Sequence, residues 1–358
     1  MSQHFSRRDF LKFAGLSLSG LSLFGLGFKP AYDFAELQDS GPLVRVAVDA
    51  DYTLSVYSRP DEESTIKFQR SRDEILPVYY EIISDKKPTY NKLWYRVWGG
   101  YIHCASVQPV QVRLNQVPDY LSPGITPIEI TVPFTQSYFQ RITGQWTESY
   151  RLYYGTIHRA VGIAEGPNGE MWYRLRDDLL KYSETMDYYI PAKHARRLDP
   201  SEYSPIATDV PPDKKRIEVS LDKQELTAFE DGKVVLQTKI SSGLNYTPPD
   251  GDTWKTPTGN FNVGSKMISK HMGEEEPYAN YAPGAYVLPG VSWTTFFQME
   301  KGIAFHGTYW HQDFGVRKSH GCINMKTDEA RWIYRWTTPV VDDQRIEQTG
   351  FGTQVIVY

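Results

Sequence analysis

The chain has only two cysteines, and one of them, Cys322, lies within its densest group of histidines: His306, His311 and His320. A thiol attacks a carbonyl carbon as its thiolate, and a nearby imidazole is the usual side chain that generates the thiolate near neutral pH. The group therefore predicts a cysteine nucleophile with a histidine base.

Two other interpretations of Cys322 compete with this one. A single cysteine is often a small buried apolar residue, and three histidines with one cysteine could bind zinc. The run Ser319-His320-Gly321 before Cys322, with Asn324 after it, favours a tight turn beside a substrate over an apolar face. No second cysteine and no regular pair spacing accompany the group. The sequence therefore favours the nucleophile and predicts no metal.

Several separated motifs near the C-terminus occur in the order of a known signature. They are Lys215–Val219, Thr256–Phe261, His306-Gly307-Thr308, Ser319–Asn324, and Gly352-Thr353 before Val355–Val357. In this order they resemble the L,D-transpeptidases, the bacterial enzymes with a YkuD-type catalytic domain that crosslink peptidoglycan. The resemblance extends over residues 214–358. It implies a β-sandwich catalytic domain that needs no metal or organic cofactor and acts on peptidoglycan stem peptides.

The resemblance also suggests roles for individual residues. Cys322 would form a thioester with the donor peptide, and His306 matches the proton donor and acceptor of the family. Residues of the surrounding turn are expected to shape the pocket, bond the loop or allow close approach: His320, Ser319, Gly321, Gly307 and Asn324. The N–H groups of Gly321 and Cys322 could form an oxyanion hole. Three aromatic residues are expected to line the donor cleft, with core packing as the alternative: Trp310, Tyr309 and Trp293.

By the same resemblance, the donor is a tetrapeptide stem with a diaminopimelate-type third residue. Attack on its L,D bond would release D-Ala, and the side-chain amine of another stem would complete a 3→3 crosslink. Water as acceptor would make the protein an L,D-carboxypeptidase, and a protein or D-amino acid acceptor would make it a wall-attachment transferase. A non-catalytic cell-wall-binding protein is the alternative from a different class. The acceptor and the oligomeric state are open at this point.

The N-terminus, residues 1–30, predicts a twin-arginine signal. Ser6–Lys12 contains Arg7-Arg8 and precedes an apolar stretch, Phe13–Phe28, that is short for a membrane span. A buried amphipathic helix is the alternative. The signal predicts export to the cell wall, the periplasm or the extracellular face, and an uncleaved signal would remain as a membrane anchor.

Composition and patterning predict a mainly β fold with several domains. The net charge of −4 and the pI near 6.1 give no basic surface for a nucleic acid. Short strand-like segments predict two small β-barrels, at residues 41–113 and 125–200. They resemble bacterial SH3-like domains, which implies that they target the wall, with a spacer or lid as the alternative. A faint repeat relates Trp94–Val97 to Trp172–Leu175. A proline-rich linker, 201–213, with extended backbone leads to the catalytic domain, 214–358.

Local signals refine the catalytic domain. Asp231-Gly232 between alternating segments predicts a hairpin that joins Glu225–Glu230 to Lys233–Ser241. One helix is predicted after the nucleophile loop, over Thr327–Thr337, with Thr327 as its N-cap. Lys266–Pro289 has no clear period and is expected to be a long loop. Outside this domain, Cys104 is predicted to lie on the inner face of a strand.

Overall fold

The computed structural model describes residues 32–118, 120–121, 124–177, 187–249, 251–274, 286–340 and 347–358. The predicted twin-arginine signal, 1–30, lies outside the described residues. Among the helices that are described, none has the length and apolar character needed to cross a membrane. The described residues form two compact units, one that ends at Leu114 and one that begins at Asn115.

The first unit is built from short strands. Its one-turn helix α1, Phe34–Leu37, begins after Asp33, whose carboxylate accepts the Ala35 N–H at 2.9 Å. Eight strands follow: β1 Leu43–Val46, β2 Thr53–Tyr57, β3 Ile66–Ser71, β4 Ile75–Pro77, β5 Tyr80–Ile83, β6 Leu93–Val97, β7 Gly100–His103 and β8 Val107–Val110. They form two antiparallel sheets with the orders β4-β1-β8 and β3-β2-β7-β6-β5. Buried aliphatic residues from both sheets form one core.

Cys104 belongs to this core, but it does not lie on a strand. It begins a short 3-10 turn, Cys104–Ser106, which is capped by His103 Nδ1 accepting the Ala105 N–H. The residue is 2% exposed, and its thiol donates to Asn91 Oδ1 at 3.3 Å. The predicted burial is therefore correct and the predicted strand position is wrong, because the His103 cap turns the chain one residue earlier.

The second unit begins with seven antiparallel strands in one sheet: β9 Thr126–Ile130, β10 Phe134–Gln140, β11 Trp146–Tyr153, β12 Ile157–Glu165, β13 Met171–Arg176, β14 Asp187–Pro191 and β15 Ala195–Arg197. Their order is β11-β10-β14-β13-β12-β9-β15. The faint sequence repeat has a structural counterpart. Arg96 of β6 pairs with Tyr101 of β7, and Arg174 of β13 pairs with Tyr189 of β14 in the same antiparallel manner.

The rest of the second unit holds two five-stranded sheets. Their strands are β16 Lys215–Ser220, β17 Glu225–Glu230, β18 Lys233–Lys239, β19 Gly259–Asn262, β20 Ser265–Gly273, β21 Val287–Gln298, β22 Ile303–Gly307, β23 Ile323–Met325, β24 Gln348–Thr349 and β25 Gln354–Val357. The orders are β18-β17-β16-β25-β19 and β23-β22-β21-β20-β24. One apolar core joins Ile217 and Val219 of the first sheet to Phe305 and Ile323 of the second. The predicted mainly β fold with a sandwich-type catalytic region is confirmed.

The hairpin and the helix follow the sequence closely. Asp231 and Gly232 have φ values of 45° and 80°, which suit the two-residue turn between β17 and β18. Helix α2 covers Thr327–Trp336 and buries Ala330 and Ile333 against the core. Its N-cap is Lys326, without a side-chain cap bond, so the prediction that Thr327 is the cap is wrong by one residue.

The prediction that Lys266–Pro289 is a long loop is wrong at both ends of this segment. Strands β20 and β21 extend into it and pair with each other. Its middle, 275–285, lies outside the described residues. The strand period of β20 was hidden because its buried positions include Ser265, Ser269 and His271. These polar side chains are satisfied by hydrogen bonds, among them that from Ser269 Oγ to Ile157 O at 2.5 Å.

The segment predicted as a linker, 201–213, packs against the catalytic region. Tyr203 is a member of its apolar core, and Ile206 and Ala207 pack against that core. Arg335 of α2 donates to Ser204 O at 2.8 Å and accepts at its own carbonyl from Ile206 N at 3.2 Å. Short 3-10 turns at Pro200–Glu202 and Pro212–Lys214 interrupt the expected extended backbone.

Candidate active site

Two adjacent parallel strands bring the predicted nucleophile and base together. In β22 and β23, Phe305 pairs with Ile323 and His306 pairs with Asn324. Cys322 immediately precedes β23, so this register places it beside Ala304, two residues along the strand from His306. Positions two apart lie on the same face of a sheet. Cys322 and His306 are therefore diagonal neighbours across the two strands.

A set of hydrogen bonds holds the loop that carries Cys322. Ser319 Oγ accepts the Gly321 N–H at 3.1 Å and donates to Cys322 O at 2.5 Å. Thr256 Oγ1 donates to Gly321 O at 2.7 Å. Gly321 has a φ of +126°, and a Cβ there would lie 2.7 Å from Ile303 Cδ1. The backbone conformation therefore favours glycine at this position, and a larger residue would also have to displace the end of the Ile303 side chain.

The chain segment 241–244 anchors this loop from the other side. Ser241 exchanges backbone hydrogen bonds with Asn324 at 3.0 and 2.9 Å, and Ser242 O accepts the Ser319 N–H at 3.1 Å. A Cβ on Gly243 would lie 2.0 Å from Trp254 O and 3.0 Å from Gly321 Cα. Gly243 therefore permits a close approach that sequence reasoning missed.

The Cys322 thiol is protonated in the resting site at neutral pH. The residue is partly buried. Burial raises the pKa of the Cys322 thiol to about 11, although a hydrogen bond from the Ala304 N–H acts in the opposite direction. The thiol itself points to Gly302 O at 3.6 Å. A proton acceptor is needed to make it nucleophilic.

His306 is a neutral imidazole with one nitrogen already committed. Its Nδ1 lies 3.0 Å from Gly307 O. A carbonyl oxygen can only accept, so Nδ1 carries the proton and the lone pair belongs to Nε2. Burial lowers the pKa of His306 to about 4, and the bond to Gly307 opposes this shift. The ring can therefore accept a proton through Nε2. Gly307 also lies close to α2, since a Cβ there would be 3.2 Å from Thr327 Cα.

The buried side chains of Asn324 and His311 form a hydrogen-bonded pair in the same region as His306. Asn324 Nδ2 and His311 Nε2 are 2.9 Å apart, and His311 Nδ1 accepts the Asp313 N–H at 3.1 Å. Burial lowers the pKa of His311 to about 3. Because Nδ1 accepts, the neutral ring carries its proton on Nε2, and this N–H donates to the Asn324 side chain with the amide oxygen facing the ring. Both ring nitrogens of His311 are thus engaged, and Asn324 orients this histidine.

His320 lies in an aromatic cluster that the sequence did not reveal. Its ring stacks on Trp254 with centroids 3.7 Å apart, and the Tyr286 ring centroid lies 5.1 Å away. Burial lowers the pKa of His320. Burial also raises the pKa of Tyr286 to about 12, to which the charge of the nearby Cys322 contributes. Trp254, Tyr286, Thr256 and Gly243 are site residues that the sequence analysis did not assign. The only signal was the Thr256–Phe261 motif.

The three aromatic residues predicted for the donor cleft have different positions. Trp310 is partly exposed, with its ring 5.7 Å from His306. Tyr309 is 5% exposed and stacks on Tyr153 of β11. Trp293 is 2% exposed and packs edge-on against Tyr334 in the core, so the expectation that it lines a cleft is corrected. A tryptophan in a β-rich sequence fits a core as well as a cleft, and β21 is buried without alternation from Pro289 to Thr295, so no period marks the position of Trp293.

The loop bonding also changes the predicted oxyanion hole. Because Ser319 takes the Gly321 N–H, the Cys322 N–H is the remaining backbone donor of the predicted pair. Within the described part of the chain, no group of three or more His, Cys, Asp or Glu side chains could hold a metal ion.

A cysteine beside a neutral histidine on a rigid β-sandwich is an arrangement suited to acyl transfer. Residues 214–357 match the family model YkuD, the L,D-transpeptidase catalytic domain. This part of the chain is therefore an L,D-transpeptidase catalytic domain.

Three similar solved structures each cover 40% of the chain. The Ldtfm–avibactam carbamoyl enzyme is 25% identical over 40% of this chain and 49% of its own, with a TM-score of 0.30. The L,D-transpeptidase of Xylanimonas cellulosilytica is 27% identical over 40% of this chain and 60% of its own (TM-score 0.27). The catalytic domain of the Enterococcus faecium enzyme is 27% identical over 40% of this chain and 96% of its own (TM-score 0.29). The chain thus spans about half the length of the first of these. No curated protein sequence matches the chain.

Proposed function

We propose that the protein is a peptidoglycan L,D-transpeptidase that forms 3→3 crosslinks through a Cys322 thioester. The supporting observation is the diagonal placement of Cys322 and His306 on adjacent parallel strands within a YkuD-type domain. The tautomer of His306, set by Gly307 O, leaves Nε2 as the proton acceptor.

In the first half-reaction, His306 Nε2 takes the thiol proton while Cys322 Sγ attacks the carbonyl carbon of the donor's L,D bond. The carbonyl oxygen gains negative charge, and the Cys322 N–H donates to it. The C–N bond then breaks, His306 returns the proton to the leaving amine of D-Ala, and a thioester remains. No net charge is created, and no redox partner is needed.

In the second half-reaction, the side-chain amine of another stem attacks the thioester carbonyl. His306 accepts the amine proton and returns it to the sulfur as the C–S bond breaks. Water in place of the amine would give an L,D-carboxypeptidase product from the same thioester, and a protein or D-amino acid amine would give wall attachment.

The decisive experiment is mass analysis of disaccharide-tetrapeptides that have been incubated with the purified protein. A crosslinked dimer with loss of D-Ala supports the transpeptidase. A trimmed tripeptide alone would make the protein a carboxypeptidase, and unchanged substrate would favour a non-catalytic wall-binding protein. The Cys322→Ala variant is the matched control and should leave the substrate unchanged.

Export by the twin-arginine route and wall binding by SH3-like regions at 41–113 and 125–200 are part of the same proposal. Substitution of Arg7 and Arg8 by lysine should keep the protein in the cytoplasmic fraction, as measured by fractionation. Binding of purified residues 32–114 to insoluble peptidoglycan tests the wall-targeting role of the first region.

A further inference from the structure

The peptide unit between Gly321 and Cys322 contains two groups that matter for catalysis. One is the carbonyl of Gly321, which is held by a hydrogen bond, and the other is the Cys322 N–H, the remaining donor of the predicted oxyanion hole. A trans peptide is planar, and its C=O and N–H point in opposite directions. The direction of Gly321 O therefore determines the direction of the Cys322 N–H. Thr256 Oγ1 donates to Gly321 O at 2.7 Å and so sets that direction.

The Thr256 hydroxyl has only one orientation open to it. The side chain is buried, and its Oγ1 accepts the Gly243 N–H at 2.8 Å. A hydroxyl has a single proton, and with a lone pair occupied by Gly243 that proton points to Gly321 O. The bare backbone of Gly243 makes this approach possible, because a Cβ there would lie 2.7 Å from Thr256 N.

Ser319 fixes the groups on either side of this peptide. It accepts from Gly321 N and donates to Cys322 O. Ser319 and Thr256 together engage three backbone groups next to the nucleophile and leave the Cys322 N–H for substrate. Gly321 could rotate without these bonds, since it lacks the Cβ that would restrict its backbone.

We propose that Thr256 is a positioning residue for the oxyanion hole, which holds the 321–322 peptide so that the Cys322 N–H faces the substrate carbonyl. This inference rests on the proposed function. Thr256 does not touch substrate in this role. It acts through the backbone, so its loss should slow only those reactions of Cys322 that develop charge on a carbonyl oxygen.

The test compares two reactions of the same thiol. Acylation by a carbapenem forms the Sγ–C bond, breaks the lactam C–N bond and passes through an oxyanion, with the thiol proton moving through His306 to the lactam nitrogen. Alkylation by iodoacetamide displaces iodide at an sp³ carbon and forms no oxyanion. Thr256→Val keeps the side-chain shape and removes the hydroxyl. Thr256→Ser restores the hydroxyl. Thr295→Val is the matched control, because Thr295 is fully buried and its Oγ1 has no hydrogen-bond partner among the described residues.

We expect Thr256→Val to lower the acylation rate by roughly 10- to 100-fold, since loss of a complete oxyanion donor costs about 10²–10³. Its alkylation rate and pH profile should match those of the wild type, and Thr256→Ser should recover most of the acylation. Thr295→Val should be acylated at the wild-type rate. Should Thr256→Val not fold, as judged by thermal melting, Thr256→Ala replaces it in the same comparison.

The outcomes distinguish a failure of the Thr256 inference from a failure of the proposed transpeptidase function. Equal losses in acylation and alkylation would mean that Thr256 acts on the thiol, and unchanged acylation would mean that it positions nothing; either result overturns the inference alone. A wild-type protein that is alkylated at Cys322 but never acylated, by drug or by tetrapeptide, would overturn the proposed function and this inference with it.

Discussion

Tyr153 and Tyr309 stack with ring centroids 5.3 Å apart and planes inclined by 25°. Both belong to the same compact unit: Tyr153 ends β11 of the seven-stranded sheet, and Tyr309 lies just after β22 of a different sheet. Polar bonds accompany the stack, including one of 2.9 Å from Ser292 Oγ to Gly155 O. The seven-stranded sheet therefore supports the strands that carry the catalytic residues. A sheet that served only as a spacer would not need such contacts with the catalytic strands.

The buried guanidinium of Arg159 makes this support testable. Arg159 of β12 donates to Ser269 O of β20, and its side chain is buried. Arg159→Met keeps much of the apolar stem but leaves that carbonyl without its charged donor, which should cost about 1–3 kcal/mol of unfolding free energy. Arg174→Met, at a residue whose side chain is 42% exposed in a surface ion pair, should cost under about 1 kcal/mol. Urea unfolding of both variants measures the difference. Equal values would argue against a stabilising junction.

The two cysteines should behave in opposite ways. Cys322→Ala should abolish turnover and acylation with little change in stability, because it removes the nucleophile from a partly exposed position. Cys104→Ala should retain activity while losing about 1 kcal/mol or more of stability, since its thiol is buried in the core of the first unit. Turnover and melting curves of both variants provide the measurement. Loss of activity in Cys104→Ala alone would contradict the site assignment.

The sequence predicted those features that depend on local or strongly patterned signals. The Asp231-Gly232 hairpin, the helix after the nucleophile and the mainly β fold belong to this class. What it could not predict depends on contacts between distant segments. β20 was missed because its buried face carries serines and a histidine that only the neighbouring sheet can satisfy.

The same reasoning explains the site residues that were missed. Trp254 and Tyr286 flank His320 from segments that are far away in sequence, and neither has a local pattern that marks a site. Trp293 was instead assigned to the site although it lies in the core, because residue type alone does not show whether an aromatic ring packs in a core or lines a cleft. The role of Thr256 required the directions of its two hydrogen bonds.

His306→Gln should slow acylation far more than His320→Gln. A positioned base contributes about 10²–10⁴-fold, and His306 has its Nε2 lone pair available on the strand next to Cys322. His320 stacks on Trp254, so its substitution should mainly weaken substrate binding. Single-turnover acylation rates and their dependence on drug concentration separate the two effects. A greater loss for His320→Gln would make His320 the base.

The reactivity of Cys322 should keep rising across the alkaline range. Burial raises its thiol pKa to about 11, so the thiolate fraction grows about tenfold per pH unit below that value. Alkylation by iodoacetamide should therefore increase from pH 7 to pH 10 without a plateau. A plateau near neutral pH would instead indicate a preformed thiolate–imidazolium pair. The Cys322→Ala variant corrects for reaction at Cys104.

Stability should fall as the pH is lowered from about 6.5 towards 4. Burial depresses the pKa of four histidines of the second unit, to about 3 or 4: His158, His194, His306 and His311. Between these values and the ordinary value of 6.5, the unfolded chain binds protons that the folded chain does not. Unfolding is then favoured by protons, so stability rises with pH in this window and is lost as the pH falls.

Each such histidine adds up to about 1.4 kcal/mol per pH unit to the slope of unfolding free energy against pH. His158→Gln removes one of these groups and keeps polar atoms that can reach Thr156 and Tyr188, which His158 contacts at 2.9 and 3.1 Å. The variant should therefore show a shallower slope than the wild type between pH 6 and pH 4.5, because the carboxylates contribute alike to both slopes. Urea unfolding at several pH values gives both slopes. A wild-type protein whose stability is constant over this range would show that these histidines are not held neutral in the fold.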